Sequence, residues 1–567
     1  MNSQMKYLIA ILLTCGTAPP THAAVDFAGV TETHITVPMR DGAKLSMYLY
    51  TPPGKGPWPV LYEELYMNTQ TDSLRQRHAR LASHGYVVAV ENFRGTHLSE
   101  GVYVGYRALG WGEQKDGYDS VEWLAKQPWS NGKIGTFGGS QAGYAQNFLA
   151  VTQPPHLVAQ YITDGGLSLF HLGYRIGGTA RPQRFKQSMV IDCRDQTEGM
   201  SYLAEQLKHP VYDEYWQQED CTRHFDQMNV PTFTLASWFD FMSVGSIETY
   251  IGRRHQGGKS ARGKQQLLIG PWVHGGTKGA KIGELEFPPT AAFKVDDHMV
   301  RWFDFYLKGV KTGVDEDPAV RYYVMSAAGE TGAPGNEWRS AADWPVPAKD
   351  TSYYLHSALS GTAGTLSTRL STQLSTQLST QVAKSGQDSI GFQADPLHPA
   401  PIPDRAFAGA KDAREFEKHP DVRTFTTEPL AEPVEWTGKV RAELWASSSA
   451  PDTDFIVRVT DVYPDGRSIL LIDSVLRARF RDGFEREKLM SPGQVYKFAF
   501  DVGWLSQIFN RGHRIRVVVS GTGADFYEPN PNTGEAITID PPAKTLVARD
   551  TLYLSGPHAS RIIAPVH

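Results

Sequence analysis

The first part of the chain alternates between short apolar runs and amphipathic segments. Between residue 27 and about residue 147 the strand-like runs are HITVPM, KLSMYLYTP, WPVLYEEL, YVVAVEN and KIGTFG. Two segments between them, LRQRHARLASHG and DGYDSVEWLAKQP, place apolar residues at helical spacing. Because strands that alternate with helices form parallel sheets covered on both faces, this pattern predicts an α/β domain.

The pattern changes twice further along the chain. Strand signals fade first, and segments such as SYLAEQLKHPVYDEYWQQED predict short inserted helices. Strands resume with VPTFTLASW and KQQLLIGPW, and AAFKVDDHMVRWFDFYLKG predicts a helix with an aromatic face in the core. Many short alternating strands then follow, separated by Pro, Gly, Asn and Asp turns, which predict a β-sandwich or jelly roll. The expected units are an α/β domain at 24–167 and 226–341, a helical insertion at 168–225 and an all-β domain at 342–567.

The N-terminus has the layout of a secretory signal peptide over residues 1–23. Lys6 precedes the apolar run Tyr7–Leu13, and small residues follow at the expected cleavage site. This predicts a periplasmic or secreted protein. Lipid anchoring at Cys15 is the alternative, although Thr14 is larger than the residue usual before such a cysteine. No apolar run approaches the ~20 residues that span a bilayer, so no transmembrane segment is predicted.

Charge and composition limit the kinds of partner and cofactor that the protein is expected to bind. The net charge is −5, and no cluster of Lys and Arg forms a basic stripe, which argues against nucleic acid as a partner. No phosphate-binding glycine loop and no metal-ligand spacing is present, so no cofactor is predicted. Cys193 and Cys221 could form a disulfide or remain two buried thiols, and homo-oligomer formation stays open. The four-residue repeat at 366–381 matches neither helix nor strand periodicity and predicts an exposed loop without an assigned role.

The segment KIGTFGGSQAGY predicts a strand that turns sharply into a helix at Ser140. Gly138 gives room for the corner, and Gly143 lets the helix approach the sheet. The spacing is close to G-x-S-x-G, but its second glycine is one place late, so a simple turn serine remains an alternative. A catalytic serine also needs a carboxylate and an imidazole, and Asp240 and His274 follow two later strands in that order.

The sequence resembles the cocaine-esterase and X-Pro dipeptidyl-peptidase-like serine hydrolases, which include glutaryl cephalosporin acylases and α-amino-acid ester hydrolases. The segments that carry the resemblance are VPMRDGAKLSMYLYTP, YVVAVENFRGTHLSEG, WGEQKDGYDSVEWLAKQPWSNGKIGTFGGSQAGY, WFDF, GPWVH, RWFDFYLKG, DTDFIVRVTDVYPDGRSILL, LRARFRDGFE and GHRIRVVVSG. It implies an α/β-hydrolase domain with an inserted helical cap, and a C-terminal jelly roll beside the active site.

The resemblance also implies roles for five residues. Ser140 matches the family's nucleophile, Asp240 its acid and His274 its base. The family stabilises the oxyanion with a tyrosine hydroxyl and with the N–H after the serine, which here are Tyr66 and the Gln141 N–H. These assignments predict a serine hydrolase that cleaves ester or amide bonds of a small-molecule substrate through an acyl-enzyme.

Two departures from the family bear on the predicted oxyanion site. Glu63, Glu64 and Leu65 precede Tyr66, where relatives commonly have a basic residue, a polar residue and a proline. Two carboxylates that faced a developing negative charge would oppose it, so core packing remains an alternative role for Tyr66. Gln141 stands where relatives often have an aromatic residue, which predicts a changed acyl pocket.

The residues next to Asp240 indicate part of the substrate preference. Asp240 is followed by FMSVGS, which lacks the carboxylates that hold a substrate ammonium in α-amino-acid ester hydrolases. Phe239, Phe241 and Met242 instead favour an uncharged or aromatic group nearby, with core packing as the alternative. His97 is interpreted as a pocket or surface-loop residue. His513 is interpreted as structural.

The ester hydrolase has two alternatives. An acylase or X-Pro-type exopeptidase would cleave amides with the same residues. A catalytically silent protein that binds a glycan or a partner would not need an activated serine.

Overall fold

The computed structural model describes most of the chain. Its described residues are 27–173, 175–180, 186, 189–357, 363–370, 388–401, 409–523, 527, 529–536 and 544–567. The predicted signal peptide, Cys15 and most of the repeat lie outside these residues, so the expectations about them stay predictions. Leu366 and Ser367, which begin the repeat, are described and belong to a strand with Leu366 buried, so the expectation of an exposed loop is wrong for these two residues.

The first part of the chain alternates strands and helices as its pattern predicts. Its elements in chain order are β1 (Thr31–Pro38), β2 (Lys44–Thr51), β3 (Trp58–Leu65), α1 (Asp72–Ser83), β4 (Val87–Asn92), α2 (Asp116–Ala125), β5 (Ser130–Gly139), α3 (Gln141–Val151) and β6 (Leu157–Thr163). All five predicted strand segments and both predicted helices are confirmed.

Short elements follow β6. They are α4 (Leu169–Leu172), β7 (Arg175–Ile176), β8 (Thr179–Ala180), α5 (Gln196–Leu207) and α6 (Glu214–Gln217), with 3₁₀ turns at Val190–Asp192 and Cys221–Gln227. Aspartate side chains cap two of these helices, since Asp195 accepts the Thr197 N–H and Asp213 accepts the Tyr215 N–H. Cys193 and Cys221 are both buried and free, so the disulfide alternative is not realised in the structure.

The α/β pattern then resumes. Its elements are β9 (Thr232–Ser237), α7 (Ser243–Gln256), β10 (Gln265–Gly270), β11 (Lys281–Ile282), β12 (Leu285–Glu286), α8 (Val295–Phe303), β13 (Val320–Val324) and β14 (Glu337–Ala341). Met299, Trp302 and Phe303 of α8 are buried, as expected for a helix whose aromatic face packs into the core.

The strands of both parts join into one ten-stranded sheet. Its order is β1-β2-β4-β3-β5-β6-β9-β10-β13-β14. The strands from β4 to β13 in that order pair in parallel, and the strands at both edges pair antiparallel. The carboxyl ends of β5, β6, β9 and β10 therefore lie side by side along one edge of the sheet.

Both faces of this sheet are covered, which explains the continuous apolar runs of its strands. Val60 of β3 packs in a cluster with Val121 and Leu124 of α2. The next residue, Leu61, packs on the opposite face in the cluster that holds Trp302. Neighbouring residues of a strand point to opposite faces, so one strand contributes to both layers.

The rest of the chain is almost entirely β-structure. Its elements are β15 (Lys349–Ser357), β16 (Ala363–Ser367), β17 (Ser389–Ala394), the single-turn α9 (Arg414–Glu417), β18 (Val422–Thr426), β19 (Val434–Ser448), β20 (Asp454–Val462), β21 (Ser468–Arg477), β22 (Tyr496–Phe509), β23 (Arg514–Ser520), β24 (Ala548–Tyr553) and β25 (Arg561–Val566). Hydrogen bonds connect all eleven strands, and the pairs are antiparallel except β16 with β18. The prediction of an all-β C-terminal unit is confirmed.

The two units share main-chain, apolar and charged contacts. Met325, just after β13, exchanges main-chain hydrogen bonds with Ser506 and Ile508 of β22, at 3.0 and 2.8 Å. The rings of Trp238, just after β9, and Trp344 pack 6.0 Å apart. No helix of the described residues is long and apolar enough to span a bilayer.

Candidate active site

Ser140 occupies a strained corner between β5 and α3. Its φ of 56° and ψ of −117° are unusual for a residue with a side chain. The Ser140 N–H lies 3.0 Å from the carbonyl oxygen of Thr163 and 3.2 Å from that of Asp164, which ties the corner to the end of β6. Such a corner presents a serine hydroxyl at the carboxyl edge of a parallel sheet.

The positions on either side of Ser140 need glycine because neighbouring atoms leave no room for a Cβ. Gly138 has a φ of +121°, and a Cβ there would lie 2.5 Å from Glu63 Oε1. A Cβ on Gly143 would lie 2.7 Å from the Cα of Gly165, just after β6. The glycine that the sequence places one position late is therefore the one that α3 needs to pack against the β6 loop.

Asp240 and His274 meet at the ends of β9 and β10. His274 Nδ1 lies 3.0 Å from each carboxylate oxygen of Asp240. The Asp240 side chain is fully buried, while about a quarter of the imidazole is exposed. The ring of Phe241 packs against the imidazole at 4.9 Å. An imidazole held through Nδ1 on a buried carboxylate offers Nε2 as a proton acceptor.

A second buried carboxylate, Asp164, lies in the same place. Its main-chain oxygen accepts the Ser140 N–H, its Oδ2 accepts the Gly275 N–H at 2.9 Å, and its Oδ1 accepts the Ser237 hydroxyl at 2.9 Å. Asp164 thus connects the serine corner, the end of β9 and the histidine loop. Burial, followed by the negative charge of Asp240, raises the pKa of Asp164 to about 8. The carboxyl is therefore mainly protonated near neutral pH.

The sequence does carry a signal for Asp164. It stands in YITDGG, directly after the apolar run that forms β6, as Asp240 stands shortly after β9. The order of serine, acid and histidine at the ends of predicted strands indicated only Asp240, because β6 was not predicted. That both carboxylates converge on one histidine loop depends on the neighbouring positions of β6 and β9.

One ligand atom each from Asp164, Asp240 and His274 lies within 4.8 Å of the others, a spacing that a metal ion could use. His274 already hydrogen-bonds to Asp240, and Asp164 accepts hydrogen bonds from Ser237 and the Gly275 N–H. This arrangement suits the orientation of an imidazole better than the coordination of a metal.

The side chain of Gln141 contacts the loop after β3. Its Oε1 accepts the N–H of Tyr66 at 2.8 Å and the N–H of Met67 at 3.2 Å. The Tyr66 ring packs edge-on against Phe93 at 5.8 Å. Gln141 is buried, and its side chain holds this loop. The expectation of a changed acyl pocket stays a prediction.

The two acidic residues before Tyr66 have separate buried environments. Glu63 Oε2 lies 2.8 Å from Nε2 of the buried His78. Glu64 is enclosed beside Glu91 and Asp116, and its burial, followed by those two negative charges, raises its pKa well above the usual range. These causes favour the neutral form of the Glu64 carboxyl over its charged form.

A cavity of about 580 Å³ lies between the acid loop and the C-terminal strands. Its apolar wall includes Phe239, Phe241, Leu471, Phe484 and Trp504. Asp240 also lines the cavity, whereas Ser140 and His274 do not, so the cavity extends from the acid side of the candidate site. Met242 packs into the core instead.

Comparisons with known proteins match nearly the whole chain. The X-Pro dipeptidyl-peptidase (S15 family) model matches residues 41–198 and 190–276, and the X-Pro dipeptidyl-peptidase C-terminal non-catalytic domain model matches residues 312–563. Cocaine esterase of Rhodococcus sp. (strain MB1 Bresler) is 29% identical over 600 aligned residues, which cover 94% of this chain and 98% of that protein. The chain belongs to the cocaine-esterase and X-Pro dipeptidyl-peptidase-like family. It is a serine hydrolase that acts on ester or amide bonds.

Solved structures support the fold of this serine hydrolase. An α-amino-acid ester hydrolase superposes with a TM-score of 0.80 at 23% identity, covering 99% of this chain and 100% of that one. An aminopeptidase from the marine sediment archaeon Thaumarchaeota archaeon gives a TM-score of 0.80 at 24% identity, covering 97% and 98%. At these identities the likeness establishes the α/β-hydrolase unit with its all-β C-terminal unit.

Two other histidines of the hydrolase lie outside the candidate site. His97 Nε2 is 3.3 Å from Asp192, and His97 does not line the cavity. His513 is buried between Asp461 at 2.8 Å and Glu330 at 2.9 Å, in the C-terminal unit and the segment before it. The structural interpretation of His513 fits these contacts.

Proposed function

We propose that this serine hydrolase cleaves carboxylic esters through an acyl-enzyme on Ser140, with Asp240 and His274 as its acid and base. One observation carries the proposal. His274 Nδ1 is 3.0 Å from both oxygens of the buried Asp240, on a loop that Asp164 ties to the strained Ser140 corner. These are the parts that nucleophilic catalysis by a serine requires.

In the proposed reaction, His274 Nε2 takes the hydroxyl proton as Ser140 attacks the carbonyl carbon. Asp240 holds the imidazole tautomer and stabilises its positive charge. The Gln141 N–H and the Tyr66 hydroxyl donate to the oxyanion, and Gln141 begins α3, where the helix dipole also favours negative charge. His274 then returns the proton to the leaving group, and water repeats the cycle on the acyl-enzyme.

The cavity supports an uncharged apolar or aromatic group on the substrate. Phe239 and Phe241 line it beside Asp240, and strands of the C-terminal unit supply Leu471 and Trp504. The apolar part of this wall favours burial of apolar surface. An ester is the first choice because cocaine esterase is similar to this chain over nearly the whole length of both proteins.

An amide substrate is the second candidate. The X-Pro dipeptidyl-peptidase family models support it, since both units of the chain match them. Acylase or X-Pro exopeptidase activity would use the same three residues and differ in the group that the cavity holds.

The architecture around the site completes the proposal. We infer that residues 168–225 form a cap beside the site, because α4, α5 and α6 all fall in this interval. The eleven connected strands support a jelly roll over residues 342–567, and the α/β-hydrolase domain comprises 24–167 and 226–341. Export after removal of residues 1–23 rests on the N-terminal sequence alone.

The serine assignment is tested with Ser140→Ala. The variant should lose nearly all hydrolysis across a panel of short acyl esters, aryl esters, β-lactam amides and Xaa-Pro amides, while its thermal transition stays that of the unmodified protein. A fluorophosphonate probe should label the unmodified protein at Ser140 and leave the variant unlabelled. Hydrolysis by Ser140→Ala at the unmodified rate would refute the mechanism, and the panel distinguishes ester from amide preference.

A further inference from the structure

The segment that carries Tyr66 is held on both sides by side-chain amides. It follows β3 directly and leaves the sheet at Leu65. A segment that leaves a sheet has no ladder of its own, so its main-chain groups need other partners. Here Gln141 supplies acceptors and Asn92 supplies donors.

Gln141 binds the two main-chain donors of this segment. Its Oε1 accepts the N–H of Tyr66 at 2.8 Å and the N–H of Met67 at 3.2 Å. One buried oxygen thus fixes two consecutive peptide groups. Gln141 is itself the first residue of α3 and the neighbour of Ser140.

Asn92 binds the carbonyl groups of the same segment. It ends β4 and is 3% exposed. Its Nδ2 donates to the main-chain oxygen of Met67 at 2.9 Å and to that of Leu65 at 3.3 Å. The Phe93 N–H also donates to Leu65 O at 2.8 Å. The Tyr66 segment is therefore anchored to β4 as well as to α3.

These contacts restrict which groups can serve as oxyanion donors. In many α/β hydrolases an N–H of the loop after this strand completes the oxyanion hole. The N–H groups of Tyr66 and Met67 both point to Gln141 here. The proposed function accordingly takes the second donor from the Tyr66 side chain and not from the main chain of this segment.

We propose that the Gln141 and Asn92 side chains are positioning residues that fix the Tyr66 hydroxyl relative to the oxyanion. The inference rests on the proposed function. Gln141 would act twice, because its N–H is one donor and its side chain sets the place of the other. Donors stabilise an oxyanion only when they lie about 2.7 to 3.1 Å from it, so a loosened segment should weaken the transition state more than substrate binding.

The experiment is a double-mutant cycle between Gln141→Met and Tyr66→Phe, measured by steady-state hydrolysis of an aryl ester. Methionine keeps the length of glutamine but lacks the amide oxygen. Tyr66→Phe should lower kcat by roughly 10²-fold. Gln141→Met should lower kcat by roughly 10- to 100-fold with KM little changed, since misplacement by about 1 Å costs on this order. Gln76→Met, at an exposed position on α1, is the control and should leave kcat unchanged.

The double variant decides the inference. If Gln141 acts through Tyr66, adding Gln141→Met to Tyr66→Phe should lower kcat by no more than about 3-fold further. Full additivity would overturn the inference and leave the Ser140 mechanism intact. An unchanged kcat in Tyr66→Phe would overturn it too, because the hydroxyl would then not be a donor. Loss of the proposed function itself would appear separately, as hydrolysis that survives Ser140→Ala.

Asn92→Ala provides the second arm of the cycle. It removes the amide donors to Leu65 and Met67 from the opposite side of the segment. It should show the same coupling to Tyr66→Phe, and thermal melts identify which variants keep a cooperative transition. Additive effects of Asn92→Ala in a folded protein would restrict the positioning role to Gln141 and refute the two-sided form of the proposal.

Discussion

At the scale of single residues, Asp164 shows how much of a site can depend on one unpredicted carboxyl. Its main chain binds the Ser140 corner and its side chain binds the N–H that follows His274. It hydrogen-bonds to Ser237 as well. Since burial keeps the group mainly protonated near neutral pH, its contribution there is geometry more than charge.

An asparagine at position 164 should therefore preserve the activity, whereas an alanine should lower it. Asp164→Asn keeps an acceptor for the Gly275 N–H, whereas Asp164→Ala loses both side-chain hydrogen bonds and should lower kcat/KM by roughly 10-fold. Profiles of kcat/KM against pH provide a second readout. The ionisation near pH 8 that Asp164 contributes beside Asp240 and His274 should be absent in Asp164→Asn. Equal activity of the alanine and asparagine variants would contradict this role.

At the scale of elements, the contact between α3 and the β6 loop sets the position of the nucleophile. All residues of α3 are buried, and Gly143 lies against Gly165 with no room for a side chain. The closeness of this contact sets the position of Gln141, where the helix begins, and of the corner at Ser140. A helix that cannot approach the loop would displace the proposed oxyanion N–H.

Gly143→Ala should test this packing. Alanine is a better helix former than glycine by about 1 kcal/mol, so helix propensity alone predicts stabilisation. The added Cβ would lie 2.7 Å from the Gly165 backbone, and overpacking of this kind costs about 1 to 3 kcal/mol. We expect a lower Tm together with a lower kcat.

The matched control is Gly263→Ala, where a Cβ would meet no atom within 4 Å. It should leave both Tm and kcat close to those of the unmodified protein. A Gly143→Ala variant that is more stable than the unmodified protein would show that the β6 loop adjusts easily.

At the scale of the whole molecule, the two units share one apolar core. Residues of α8, β13, β19 and β22 belong to the same cluster, and Lys439 of β19 pairs with Glu248 of α7 at 2.8 Å. The C-terminal unit also lines the cavity beside Asp240. We therefore expect changes in the C-terminal unit to affect the stability of the whole chain.

Asp550 of β24 is a residue in this unit whose ionisation should make the stability of the chain depend on pH. Burial raises its pKa to about 7, against the hydrogen bonds from Ser448 and Thr453 that lower it. The unfolded chain ionises this group near pH 4, so between about pH 4 and pH 7 the folded state holds the extra proton and stability falls as pH rises. The Tm should therefore drop from about pH 5 to about pH 8.

Asp550→Asn should reduce that drop, because asparagine cannot ionise in either state. Asp297→Asn, at an exposed position of α8, is the control and should leave the drop unchanged. Thermal melts of the three proteins at both pH values give the comparison. A drop in Asp550→Asn as large as in the unmodified protein would assign the pH dependence to other groups.

The sequence by itself determined the local elements and the order of the chemistry. Period-two and helical patterns identified β1 to β5, β9 and β10 of the first unit and six C-terminal strands, β19 to β24, because burial on sheet and helix faces imposes those periods. The pattern did not identify β6, β13 and β14. The strands β15 to β18 and β25 were not predicted individually, since most of them are short and mix exposed with buried positions. Ser140, Asp240 and His274 were selected by their order at successive strand ends.

Only the tertiary structure decided which groups surround those three residues. Asp164, Asn92 and the side chain of Gln141 act across neighbouring strands and loops, at separations of 24 to 111 residues for the pairs given above. No local pattern encodes such contacts, because they follow from strand order in the sheet and from how closely the glycines let backbones approach. The charges of Glu63 and Glu64 likewise could not be judged until their burial beside His78, Glu91 and Asp116 was known.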